Sequence, residues 1–218
     1  MQLWSFWIEA IRSLLHALAT DLGLGIGLGI IALTLATRLA LLPLTWSIGY
    51  RGAVRQKKMA RLQPQLQLLK DEFGHDPRAY AERLRSVYAE HGLSFADARS
   101  LFGLLAQAPI LLGMYQVFRD SANAGRFLWI KDLAKPDLGI ALVVGLTTAI
   151  LMAANPDLPE QMRLLLIAVP AIIAVVTAFK LCSALAVYFA VSNSFSALQT
   201  YWLHKVVARR VRSGALII

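Results

Sequence analysis

LGLGIGLGIIALTLATRLALLPLTWSIGY, residues 22–50, holds one charged residue, Arg38, in a run long enough to cross a bilayer. An arginine at mid-membrane costs roughly 2.5–3.5 kcal/mol on insertion scales, so a chain keeps one only where the charge has a polar place to sit. At about 1.5 Å per helical residue, Arg38 lies roughly 20 Å from Arg51 and about 25 Å from Asp21. Snorkelling does not cover the whole of that distance. No Asp or Glu falls within any of the apolar stretches of the chain, so no internal carboxylate is available to it. Arg38 therefore relies on water, hydroxyls, amides or backbone carbonyls, or on a charge that something else brings.

The composition around this stretch is that of a membrane protein. The chain has 218 residues, of which 57% are hydrophobic and 16% charged, with a mean hydropathy of +0.57. The formal net charge of +9 raises nucleic acid as a partner, but the cations gather in particular loops, which argues membrane topology first. Nucleic-acid binding is not expected as the main function. One cysteine, Cys182, excludes an internal disulfide and has no metal-ligand spacing around it. Four further apolar stretches read as spans: Leu101–Phe118, Leu138–Ala154, Leu164–Phe179 and Leu181–Leu203. The third and fourth spans are short for an average bilayer, which predicts local thinning. Lys and Arg number ten from Arg51 to Arg99, one in the 155–163 loop and four in the C-terminal tail, against six on the other side. That bias places the long loop and the C-terminus in the cytoplasm and the N-terminus outside.

The expected fold class is an all-α membrane protein with five transmembrane helices, an N-terminal interfacial helix and a cytoplasmic helical hairpin. Residues 1–20 read as an outer amphipathic helix, with Trp4, Ile8, Ile11, Leu15 and Leu18 at helical spacing. A cleaved signal peptide is the rival there, since Ala17-Leu18-Ala19 resembles a cleavage site, but Glu9 and Arg12 interrupt its apolar core. Residues 21–50 form the first transmembrane helix and 51–100 the hairpin. One arm carries Leu62, Leu66, Leu69 and Phe73 up to Gly74, with Pro64 expected to kink or interrupt it. Asp76 and Pro77 open the second arm, which carries Tyr80, Leu84, Val87 and Tyr88. Residues 101–203 hold helices two to five with short loops, and 204–218 form a basic cytoplasmic tail. In the fifth span Ser192, Ser196 and Gln199 recur at i, i+4 and i+7, flanked by Asn193 and Thr200. Gln107 and Gln116 add polarity to the second span, and Thr34 stands one turn before Arg38. Interhelical hydrogen bonds account for some of these residues, and a hydrated groove shared with Arg38 accounts for the stripe as a whole.

Several of these motifs together resemble the YidC-type membrane protein insertases, relatives of the Oxa and Alb proteins of organelles. Thr37-Arg38-Leu39 with Pro43-Leu44-Thr45 is similar to that family's first core helix, and Gln107-Ala108-Pro109-Ile110 with Met114-Tyr115 to its second. Phe127-Leu128-Trp129-Ile130 with Asp132-Leu133 and Pro136-Asp137 resembles its outer loop, and Tyr188 through Gln199 its last helix. The chain departs from the pattern at Cys182-Ser183-Ala184-Leu185, at Phe189 in place of a frequent Trp, and at Ala96-Asp97-Ala98-Arg99-Ser100.

The resemblance implies a five-helix core with a groove open to cytoplasm and lipid and closed to the outside, in a bacterial plasma membrane. It implies that Arg38, Thr34 and Gln107 line the groove, and that Tyr188 and Phe189 contact an incoming substrate helix. Ser192, Asn193, Ser196 and Gln199 complete the candidate set. The implied partners are nascent membrane proteins and the lipid bilayer, with a ribosome or a Sec-type translocon as further candidates. No phosphate loop, nucleophile triad or metal cluster is visible in the sequence, so neither an enzyme activity nor a cofactor is expected. A small anion channel or transporter, with Arg38 selecting the anion, is the alternative, and a purely structural membrane scaffold a third possibility.

Overall fold

The structure, a computed structural model, describes residues 2–92, 109, 112–118 and 125–215. Its elements are α1 (Gln2–His16), a π turn (Ala17–Asp21), α2 (Gly25–Ala40), α3 (Leu42–Phe73), α4 (Pro77–Glu90), a helical segment 112–118, α5 (Leu138–Ala153), a 3₁₀ turn (Glu160–Met162), α6 (Arg163–Phe179) and α7 (Ser183–Arg212). Among the described residues there is no strand, only an isolated antiparallel bridge between Phe127 and Ile130.

The stretch 22–50 is not one helix. It breaks at Leu41, where α2 and α3 meet at 64°. Pro43 supplies the cause: it has no N–H to return to the carbonyl of Leu39, and its ring suits the first turn of a new helix. The threonines add to it, because Thr34 and Thr37 donate their hydroxyls to the carbonyls of Ile30 (2.6 Å) and Leu33 (2.8 Å), a habit that bends helices. Arg38 thus stands one turn before a bend, not in the middle of a continuous rod.

The second half of the broken span does not stop at Tyr50. α3 runs unbroken for 32 residues from Leu42 to Phe73, with Pro64 inside it. The first hairpin arm is therefore the same helix that leaves the bundle, and Pro64, expected to kink or interrupt it, does not interrupt it. The turn is as predicted: Gly74 follows Phe73, and Asp76 caps α4 by accepting from the N–H groups of Arg78 (2.9 Å) and Ala79 (3.2 Å). α4 closes at Glu90, with Gly92 in the left-handed region at φ 62°.

The core lies at one end of the bundle. Ile8, Ile11 and Leu15 of α1, Ile30 and Leu33 of α2, and Met114, Val117 and Phe118 are buried with the first two turns of α7, Ala184 to Ala190. The middle of the expected stripe, Ile8, Ile11 and Leu15, is thus packed while Trp4 is exposed, and the indole of Trp7 reaches the carbonyl of Pro109 at 3.2 Å. The outer faces are the reverse. Leu138, Leu142, Leu146 and Ile150 of α5 and Leu164, Leu165, Val169, Ile172, Ile173 and Val176 of α6 are all exposed. Water would not tolerate that much contiguous aliphatic surface; hydrocarbon would. By length and composition Glu160–Phe179 suffices to cross a membrane, α2 and α3 suffice together across their bend, and α5 at 16 residues is shorter.

Candidate functional site

Arg38 is half-buried in the last turn of α2. Among the described residues no ion pair or hydrogen bond holds its guanidinium. Thr34, one turn earlier on the same face, is fully buried, and its hydroxyl is already committed to Ile30. Gln107 lies outside the described residues.

Across the bend the polar residues of α7 take different places. Gln199 donates its amide to the Thr45 hydroxyl (3.2 Å), which itself donates back towards the carbonyl of Leu41 (3.1 Å), the residue at the break. The bend is thus tied to α7 through two side chains. Asn193 donates to the hydroxyl of Thr148 on α5 (2.9 Å). Both amides therefore make interhelical hydrogen bonds. Ser192 is buried with no partner for its hydroxyl among the described residues, and Ser196 is half-buried. Tyr188 lies in the core, with its ring 6.4 Å from Phe118 and 5.4 Å, edge-on, from Phe189. Phe189 packs partly buried against the same cluster. The stripe read from the sequence thus divides: its Ser192 end is buried beside the core that holds Tyr188, and its Gln199 end borders the bend.

The loop that precedes α5 covers one end of the bundle. Phe127 lies across Gly27, where a Cβ would run into its ring, and Leu133 packs beside Gly125 and Ile26. The carbonyls of Leu133 and Lys135 accept the N–H groups of Ala184 (3.0 Å) and Ser183 (3.1 Å), so the loop caps α7. Asp137 caps α5 by accepting from Ile140 N–H (3.0 Å) and also takes the indole N–H of Trp129 (3.1 Å). The N–H of Ala134, then the ammonium of Lys135, hold the carboxyl of Asp132 below its ordinary range. Asp137 thus fastens a helix end, and Asp132 a turn of the loop.

A second cluster was not foreseen. Asp157, in the loop between α5 and α6, pairs with Lys57 of α3 at 2.8 Å, and its buried second oxygen faces Nδ1 of His204 on α7 at 3.5 Å. Burial pushes His204 below its ordinary 6.5; Asp157 opposes that shift and Lys57 adds to it. Lys57 and Asp157 stand one hundred positions apart, so no local spacing could announce the pair.

Helices with aliphatic outer faces, packed around a bent helix that carries a lone arginine, define an all-α membrane protein. The family model described as 60Kd inner membrane protein matches residues 17–210, and the chain belongs to that family. Membrane protein insertase YidC 1 of Halalkalibacterium halodurans is 30% identical over 91% of this chain and 77% of its own. Membrane protein insertase YidC of Clostridium tetani is 31% identical over 63% of this chain and 60% of its own. Among solved structures, an active YidC insertase crystal structure with the first transmembrane domain resolved superposes with a TM-score of 0.69 at 24% identity. That likeness covers 91% of this chain and 46% of the other, and it establishes the fold.

Proposed function

We propose that this protein is a membrane protein insertase of a bacterial inner membrane. It accepts nascent membrane proteins beside Arg38 and releases their helices sideways into lipid. Family membership and relatives named as insertases support the activity. The observation that carries the mechanism is the half-buried Arg38 at a helix bend, with no carboxylate on it among the described residues. In this reading the five stretches named from the sequence are spans, with the N-terminus outside and the C-terminus in the cytoplasm. The outer loop seals one end while the bend leaves the other approachable. A short polar segment of a client enters from the cytoplasm, and an acidic residue in it completes the ion pair. Movement of the client's apolar helix into hydrocarbon then drives release. Nothing in the fold or among the relatives supports an anion channel.

Reconstituted insertion of a single-span client with an acidic leading segment tests the mechanism. Arg38→Lys should retain most of the activity, while Arg38→Ala and Arg38→Glu should lose at least tenfold. Full activity in Arg38→Ala would overturn the role of the charge.

A further inference from the structure

A groove of about 610 Å³ runs between the last turns of α5 and the middle of α7. Its walls are Ile150, Ala153 and Ala154 on one side and Ala197, Leu198 and Tyr201 on the other. Three hydroxyl-bearing residues line it, and two are spent: Thr147 donates to the carbonyl of Val144 (3.0 Å) and Ser194 to that of Ala190 (2.8 Å). Apart from the phenol of Tyr201, what the groove offers an occupant is hydrocarbon.

A flexible acyl chain can lie along it.

The polar end of such a molecule has a place as well. Ser194, Leu198 and Tyr201 recur at i, i+4 and i+7 on α7, and the same face continues through Lys205, Arg209 and Arg212. The ammonium of Lys205 sits 5.4 Å from the ring centre of Tyr201 and 5.7 Å from that of Trp202, both rings exposed. An apolar trough thus leads directly to cations and to aromatic rings of the kind found at headgroup level.

We propose that this trough holds one phospholipid with an anionic headgroup, its acyl chain between α5 and α7 and its phosphate on Lys205 and Arg209. The proposal rests on α5 and α7 being membrane helices. It makes no use of Arg38 or of a client.

The test uses the full chain in nanodiscs without client, with photoactivatable phosphatidylglycerol or phosphatidylcholine carrying the reactive group on the acyl chain. Labelled peptides are mapped by mass spectrometry. Phosphatidylglycerol should label Ile150–Ala154 and Ala197–Tyr201 at least several-fold more than phosphatidylcholine. Lys205→Glu should bring the two probes level, Ala153→Phe should suppress labelling by both, and Arg38→Ala should leave it unchanged. Equal labelling by the two probes, or no change in Lys205→Glu, overturns the lipid site. The exposed face of α6 is the internal reference. Label there without enrichment in the groove rejects the site alone, whereas no label on α6 either rejects the placement of these helices in the membrane. Crosslinks from a client helix to Leu198 that displace the lipid label would assign the groove to clients and overturn the proposal.

Discussion

The hydroxyl of Thr45 serves two partners, accepting from Gln199 while donating towards the carbonyl of Leu41, which also accepts the N–H of Thr45 at 2.9 Å. The polar stripe of the last helix was legible in the sequence as a period, but its partners were not, because Thr45 lies 154 positions from Gln199. Arg38 was legible for the opposite reason: isolation within a long apolar run needs no partner to be noticed. Gly27 shows what only packing reveals. Beneath the ring of Phe127 there is no space for a side chain, so Gly27→Val should destabilise the fold by about 1–3 kcal/mol. Gly52→Ala, where a Cβ meets nothing, should be neutral or stabilising by up to about 1 kcal/mol. Thermal unfolding in detergent, followed by tryptophan fluorescence, separates the two. His204 makes a pH prediction. Folded, it titrates below 6.5 because burial disfavours its charged form. Its contribution is therefore full above 6.5 and is lost as the pH falls through the depressed value. The melting temperature should drop from about pH 7.5 to about pH 5.5, and His204→Gln should make that drop smaller. An equal drop in both would remove His204 as its source.

At the scale of elements, the outer loop is where sequence motif and structure agree most closely. Phe127, Trp129, Asp132 and Asp137 each close a turn, cover a glycine or cap a helix. A pattern of that kind is readable because its bonds are local. Asp137→Ala should cost about 0.5–2 kcal/mol through the lost cap on α5, more with the indole bond of Trp129, while Asp137→Asn should retain most of it. Chemical denaturation in detergent measures both. α3 was misread in part for a physical reason. Pro43 and Pro64 are equal as letters, but Pro43 stands in the first turn of a new helix just past the bend, whereas Pro64 sits within a helix that continues past it. Proline suits a first turn and is disfavoured in a helix interior, so only at Pro64 does tertiary packing override local propensity.

For the whole molecule, burial is unevenly distributed. The first turns of α7, the outer loop and α1 share one core, while α4 has no buried residue. Hydrogen exchange should therefore be slowest at Ser183–Ser192 and fastest in α4, with α3 passing from slow to fast beyond Leu62. Uniform protection along α3 and α4 would contradict this. The continuity of α3 carries one more consequence. The helix is gripped at Lys57 by Asp157, about 22 Å from its start at Leu42 and about 24 Å from its tip at Phe73 at 1.5 Å per residue. The half before that grip is also bonded to α7, by Gln199 at Thr45 and by Arg210 at Tyr50. Lys57 therefore marks where the anchored half of the rod, which begins at the bend one turn from Arg38, gives way to the half that carries α4.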